Sequence, residues 1–339
     1  MKIGVMGAGS IGLYVGGMLA AAGFETAFAG RAGIVHALLA GGLTITGYDG
    51  LGVRIEADKI TASSEPAVLS DAELVLFCVK SGDTEAAATA LAPHIAPDAT
   101  VISLQNGVGN VGVLERLLPG RTIIAGVVPF NVARPAPTHV HCAMEGTVMV
   151  GPSPMSKRFV AACRNANVPA AVHGDIEALQ WGKLLLNLNN GLSVLSGLPL
   201  IQQFSDPGYR AVLAMAMREG LAALDAAGIV PARATKANPR IIPRVLGLPT
   251  WLFRIVARQM LTMDASARSS MWDDLQAGRT PEVDFLNGAI VDLARRCDRQ
   301  APVNALICEK VHHAFSVGVS PQLTGTALLA EAKASSTTP

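Results

Sequence analysis

The hydrophobic pattern changes character once along the chain. Through the first half, short apolar and β-branched runs alternate with stretches of helical period, the arrangement of a parallel sheet covered by helices. Ile3–Met6 reads as a buried strand, and Ser10–Ala22 as a helix with Ile11, Val15, Met18, Leu19 and Ala22 on one face. Thr26–Ala29 follows as a strand, with Leu43–Thr46 and Val53–Ile55 as short strands around the turn Gly47-Tyr48-Asp49-Gly50. Leu74–Val79 is apolar throughout, as a strand buried on both faces must be. Helices over Thr84–Leu91 and Val113–Leu118 then alternate with strands over Val101–Leu104 and Ile123–Val127. His139–Cys142 and Thr147–Val150 read as a hairpin closing the sheet.

After about Val172 the strand signals vanish. Helical runs take over at Glu177–Leu195, Tyr209–Ala227, Trp251–Met263, Ala267–Gln276, Pro281–Cys297 and Ala301–Val317. The pattern therefore predicts an α/β parallel-sheet domain over residues 1–172 and an all-helical domain over 173–333. A small polar tail over 334–339 is expected to be flexible. Val230–Pro249, with four prolines and Arg233, Arg240 and Arg244, reads as an irregular loop.

Composition narrows the function classes. The 339 residues suit two domains of roughly 150 each, and 50% apolar against 16% charged residues supplies a large core and excludes disorder. A net charge of +1 gives no argument for a nucleic-acid or acidic-membrane partner. Five scattered cysteines without a CxxC pair suit reduced thiols in a cytoplasmic protein. The pairs His139/His141 and His312/His313 lack a carboxylate or cysteine at ligand spacing, so no metal is expected. From Ile3 to Phe24 there are 22 residues without a charge, enough to span a membrane. Seven of them are glycine, placed where a strand–turn–helix needs them, and the membrane reading is rejected.

The glycines also carry chemistry. Gly7-Ala8-Gly9-Ser10-Ile11-Gly12 is a G-x-G-x-x-G between an expected strand and an expected helix, the context in which it cradles a dinucleotide pyrophosphate. Without a ligand the same residues would form only a tight turn. The second strand ends Ala29-Gly30-Arg31, with no acid to take a ribose 2′-hydroxyl. A guanidinium there suits the 2′-phosphate of NADP(H), unless it is simply a solvent-facing arginine. Lys80 and Asn106 follow the expected strands Leu74–Val79 and Val101–Leu104, at the strand ends where open α/β sheets bind ligands. A solvated strand end and an ordinary Asn-Gly turn are the plainer readings.

In the helical half, Lys183, Asn187 and Asn190 lie at i, i+4 and i+7 of a leucine-rich helix, within about 60° of one another. Such a stripe can hold a small polar ligand, and Lys183 reads as an unpaired cation on it. Asn189 falls off the stripe. Spacing alone does not single out Ser270, which could cap its helix, or Glu282, which could be a first-turn acid.

Taken together, these residues resemble the ketopantoate reductase (2-dehydropantoate 2-reductase) family. The resemblance rests on Gly7-x-Gly9-x-x-Gly12, Arg31, Val79-Lys80, Gln105-Asn106-Gly107, Trp181-Gly182-Lys183-Leu184 with Asn187, and Ser269-Ser270-Met271 through Thr280-Pro281-Glu282-Val283-Asp284. It covers nearly the whole chain and implies a Rossmann-type domain followed by a helical domain for substrate binding; the apolar helices of that second domain would suit a homodimer. It implies that Lys183 protonates the ketone oxygen of a 2-oxo acid, and that Asn187 and Ser270 bind substrate. It further implies that Asn106 serves both cofactor and substrate, that Glu282 lies on the cofactor side of the site, and that Lys80 and Arg31 meet the NADP end. Many members carry a second asparagine eight residues after the lysine; here that position is Gly191, and the nearest amide is Asn190. The expected activity is reduction of 2-dehydropantoate to pantoate. The alternatives are reduction of another branched 2-oxo acid and a non-catalytic NADP sensor.

Overall fold

The computed structural model describes residues 1–234, 238–258 and 267–337. They form two compact units, Met1–Glu177 and Ala178–Pro339. In the first, the strands are β1 (Ile3–Met6), β2 (Thr26–Ala29), β3 (Leu43–Gly47), β4 (Gly52–Ile55), β5 (Thr61–Ser63), β6 (Leu74–Phe77), β7 (Thr100–Ser103), β8 (Thr122–Val127), β9 (Val132–Ala136), β10 (His139–Cys142), β11 (Val148–Val150) and β12 (Ala170–Val172). The helices between them are α1 (Ser10–Ala21), α2 (Ala32–Gly41), α3 (Thr84–Leu91), α4 (Asn110–Leu117) and α5 (Pro154–Asn165).

The main sheet runs β12-β11-β8-β7-β6-β1-β2-β5, and from β8 to β5 every pair is parallel. The expected hairpin is not there. β10 pairs in parallel with β3 inside a second sheet, β4-β3-β10-β9, while β11 joins the main sheet antiparallel to β8 and parallel to β12. β10 and β11 are adjacent in sequence, but each finds a hydrophobic face elsewhere: Val140 and Cys142 in the second sheet, Val148 and Val150 in the main one.

Helix α1 lies between the two sheets. Leu13, Tyr14, Val15, Met18 and Leu19 are all buried, in one core with Val5 and Phe28 of the main sheet and Leu43, Ile45 and Val140 of the second. A helix covered on both sides needs no polar face. That is why Ile3–Phe24 carries no charge, and no helix among the described residues is long and apolar enough to cross a membrane. On the opposite face of the main sheet, Val75, Phe77 and Val101 pack with Ala88 and Leu91 of α3 and Leu114 of α4.

The second unit holds α6 (Ile176–Asn187, which begins at the boundary), α7 (Asn189–Ser196), α8 (Leu200–Ser205), α9 (Pro207–Ala226), α10 (Ile242–Leu246), α11 (Thr250–Val256), α12 (Ser270–Gln276), α13 (Asn287–Arg296), α14 (Pro302–Val317) and α15 (Gly325–Thr337). α9 is its centre and packs against α10, α13, α14 and α15. The single helix expected over Glu177–Leu195 is interrupted at Leu188. Of the expected Trp251–Met263 helix, residues 259–263 lie outside those described. The expected tail begins inside α15: residues 334–337 are helical, and Ala332 just before them is buried. Val230–Pro249 contains the short helix α10 and is tied to α9 through a two-pronged Arg240–Asp225 ion pair.

Candidate active site

Four loops leave the carboxyl edge of the main sheet side by side. Because the sheet order is β7-β6-β1-β2, Asn106, Lys80, the glycine loop and Arg31 follow one another across that edge. The glycine loop sits in the middle with a basic residue on each neighbouring strand.

Gly7 has φ +107°, and a Cβ there would stand 2.7 Å from the Val79 backbone nitrogen, so only glycine makes this turn. A Cβ at Gly12 would stand 2.2 Å from the Gly7 carbonyl oxygen. At Gly9 a Cβ would meet nothing within 4 Å, so this surface is open to a ligand. The Gly7 and Ala8 amides both donate to the Ala29 carbonyl, at 2.9 and 3.2 Å, which fastens the loop to β2. Gly9 begins α1 without a side-chain cap, and the first turn carries no acid. The amides of Ser10, Ile11 and Gly12 consequently have no acceptor within the helix and add to its positive end. This cradle fits a pyrophosphate.

Arg31 starts α2, and its guanidinium lies 3.5 Å from the Asp83 carboxylate; both side chains are more than half exposed. An exposed pair of this kind is worth little, so the guanidinium can exchange it for a phosphate. Lys80 is half-buried and opens the 3₁₀ turn Ser81–Asp83, which brings the Arg31 and Lys80 loops into contact. Asn106 is half-buried, and its backbone carbonyl accepts hydrogen bonds from Ser81 Oγ and Asn110 Nδ2, both at 2.9 Å. Ser81, Thr84, Ser103, Gln105 and Asn110 form a buried polar network beneath these loops, which the sequence reading missed. Its one visible signal was Gln105 beside Asn106.

In the second unit, α6 and α7 are buried around most of their surface, yet Lys183 and Asn187 of α6 and Asn190 of α7 are each half-buried. Asn189, off the stripe, accepts at 2.6 Å from buried Gln203 and is part of the packing. Lys183 is not the unpaired cation expected. Burial pulls its pKa from 10.5 down to about 8, and the nearby Glu282 carboxylate works against that pull. Glu282 is itself buried and precedes the 3₁₀ turn Val283–Phe285. The two groups are 99 residues apart in sequence, and only the fold brings them together. Ser270 does not cap α12: Ser269 does, accepting from the Trp272 amide at 3.2 Å, which leaves the half-buried Ser270 hydroxyl outside the cap. The same Ser269 hydroxyl reaches the Asn190 carbonyl at 3.5 Å, so Ser270 is held beside the end of the stripe. An amide at position 191 would require Ile307 to shift, because a Cβ on Gly191 would stand 2.6 Å from Ile307 Cγ2. Among the described residues no group of three or more His, Cys, Asp or Glu could hold a metal ion.

Comparison with known proteins agrees with this geometry. Residues 3–155 match the family model described as ketopantoate reductase PanE/ApbA, and residues 175–315 match its C-terminal counterpart. A 2-dehydropantoate 2-reductase of Halobacterium salinarum is 31% identical over 327 residues, covering 92% of this chain and 98% of that one. Among solved structures, a PanE/ApbA family ketopantoate reductase from Ralstonia eutropha aligns with a TM-score of 0.81 at 33% identity, over 94% of this chain and 99% of the other. A D-mandelate dehydrogenase solved with NADH and anilino(oxo)acetate shares the fold at a TM-score of 0.78 and 20% identity, over 94% and 99% of the two chains. Glycine cradle, basic flanks and lysine stripe thus occur in a chain that belongs to the ketopantoate reductase family, and the protein is an NADP-dependent oxidoreductase.

Proposed function

We propose that the protein reduces 2-dehydropantoate to pantoate with NADPH, and that Lys183 is the proton donor. The observation that carries this reading is the half-buried Lys183, with Glu282 close by, on a helix whose other faces are packed. Gly7, Ala8, Gly9, Ser10, Ile11 and Gly12 hold the pyrophosphate, Arg31 and Lys80 meet the 2′-phosphate end, and Asn106 serves cofactor and substrate. When bound, the cofactor supplies the hydride. The chain supplies geometry and a proton. The Lys183 ammonium hydrogen-bonds the ketone oxygen and delivers its proton to the forming alkoxide. Glu282 keeps that ammonium charged against the cost of burial and lines the cofactor side. Asn187, Asn190 and Ser270 orient the carboxylate and hydroxyl of the substrate. A homodimer in the cytoplasm belongs to the same reading.

Gly191 favours one second reading. With position 191 crowded by Ile307, the substrate meets Asn190 instead of an amide one residue later, and a different branched 2-oxo acid could be the better substrate. NADPH oxidation followed against a panel of 2-oxo acids tests both. Fastest turnover of 2-dehydropantoate supports the first, a better bulkier acid supports the second, and no turnover of any 2-oxo acid overturns both.

Two further outcomes follow. Arg31→Asp replaces attraction by repulsion at the 2′-phosphate. The loss of a charge-assisted bond, roughly 1.5–3 kcal/mol, weakens NADPH binding about 10- to 150-fold, with NADH much less affected. Equal weakening of both in fluorescence titrations would remove Arg31 from the cofactor site. The pH profile carries a sign. With its pKa near 8, Lys183 is protonated below that value and loses its proton above it. The kcat/KM for reduction should therefore be level below pH 8 and fall about tenfold per unit above it, while alcohol oxidation, which needs the neutral amine, should fall below pH 8.

A further inference from the structure

The buried network beneath Asn106 has more structure than packing requires. Asn110 is the first residue of α4 and only 4% exposed. Its side-chain amide donates to the Asn106 carbonyl at 2.9 Å and to Ser81 Oγ at 3.2 Å, while its Oδ1 accepts from Thr84 Oγ1 at 3.0 Å. Ser81 Oγ donates to the same Asn106 carbonyl at 2.9 Å. Next to it, Gln105 Nε2 donates to the Val79 carbonyl at 3.1 Å and to Thr84 Oγ1 at 2.7 Å, and its Oε1 accepts from Ser103 at 3.0 Å. The segments 79–84 and 103–110 are thereby laced together by side chains rather than by a backbone ladder.

The need for this lacing lies in the loop's own chemistry. Asn106 is followed by Gly107 at φ +81° and, two residues on, by Gly109 at φ +88°. Glycine at both positions leaves the backbone with many accessible conformations. Two donors on one carbonyl remove that freedom where it matters, at the peptide that follows Asn106. An apolar residue at 110 would fill the same volume, but only an amide can hold a carbonyl and a hydroxyl together while accepting from a third group.

We propose that Asn110, assisted by Ser81, is a positioning residue: it fixes the Asn106 peptide and through it the presentation of the Asn106 side chain to nicotinamide and substrate. The inference rests on the role given to Asn106 above. Displacement of a reacting-group contact by about 1 Å costs up to roughly 100-fold in rate. Asn110→Ala should thus lower kcat by about 10- to 100-fold. Asn110→Asp, which keeps the volume and the acceptor but removes both donors and puts a carboxylate against the Asn106 carbonyl, should do at least as much damage.

The test is a double-mutant cycle with Asn106→Ala, read by kcat, by NADPH affinity in fluorescence titration and by amide hydrogen exchange of residues 105–109 in the cofactor-free protein. If Asn110 acts through Asn106, then Asn110→Ala accelerates exchange in this segment, and in the Asn106→Ala background it lowers kcat by no more than about twofold further. Fully additive losses, or unchanged exchange, overturn the proposal while leaving the role of Asn106 intact. If Asn106→Ala alone changes neither kcat nor NADPH affinity, the role of Asn106 is itself wrong and the positioning argument falls with it. Should Asn110→Ala not fold, Asn110→Asp and Ser81→Ala carry the same cycle, with Ser81→Ala expected to show the milder loss.

Discussion

Lys183→Ala should reduce kcat by about 10²–10⁴-fold, the range over which a positioned general acid contributes, while NADPH still binds through the glycine loop and Arg31 in the other unit. The fold adds a second half to this prediction. Glu282 is buried, and removing Lys183 takes away the cation beside it. Deleting one partner of a buried pair is generally costlier than deleting both, because it strands a desolvated charge. The melting temperature of Lys183→Ala should therefore drop, and Lys183→Met combined with Glu282→Gln, which removes both charges and keeps the volumes, should recover much of the loss. Activity should not recover, since neither replacement offers an acidic proton of the right strength. Melting curves and single-turnover rates on the two variants separate the effects. A Lys183→Ala protein that keeps more than about a third of its kcat would end the proton-donor assignment, leaving the fold and the cofactor loop as they are.

What could be read from the chain follows the range of the interactions involved. The parallel strands β1, β2, β6, β7 and β8 were each found to within two residues, because a strand buried on both faces announces itself as a short apolar run. The glycine loop was legible from its G-x-G-x-x-G spacing between a strand and a helix, although the atoms that exclude a Cβ at Gly7 belong to Cys78 and Val79, some 70 residues on. β5, β9 and β12 were missed; of these, β9 and β12 expose half or more of their residues or leave them partly covered, and their residues show no alternation strong enough to mark a strand. The hairpin assigned to β10 and β11 failed at long range. Adjacent strands usually pair, and nothing in His139–Val150 itself says that β10 belongs beside β3, some 95 residues earlier. The site divides the same way. Lys183 and Asn187 share α6 and could be counted off at i, i+4, with Asn190 just past the break at Leu188, but the approach of Glu282, the crowding of position 191 by Ile307 and the capping of α12 by Ser269 instead of Ser270 are tertiary facts.

Gly182 is the position where such a tertiary fact touches the chemistry most directly, and Gly182→Ala should be one of the most damaging single-methyl changes in the protein. By helix propensity alone Gly182 lies inside a leucine-rich helix, where alanine would ordinarily stabilise by up to about 1 kcal/mol. Here the segment that follows α9 crosses α6 at this point: the Ala232 amide donates to the Ala178 carbonyl at 2.8 Å, and the Ala232 carbonyl oxygen lies so close that a Cβ on Gly182 would stand 1.9 Å from it. The obstacle is backbone, so no rotamer change relieves it. Either residues around 232 withdraw and give up the bond to Ala178, or α6 moves, and an ordinary contact of about 3.4 Å requires a shift of some 1.5 Å. Overpacking of this kind costs roughly 1–3 kcal/mol. Lys183 is the next residue, and in the mechanism proposed above its ammonium has to meet a ketone oxygen in a narrow range of geometry. Movement of α6 should lower kcat by about 10- to 100-fold as well as the melting temperature, whereas withdrawal of the 232 segment should lower the melting temperature alone. Gly182→Ala measured by both readouts tells which element yields. A variant as stable and as active as the parent would show that the crossing at Ala232 does not constrain the lysine.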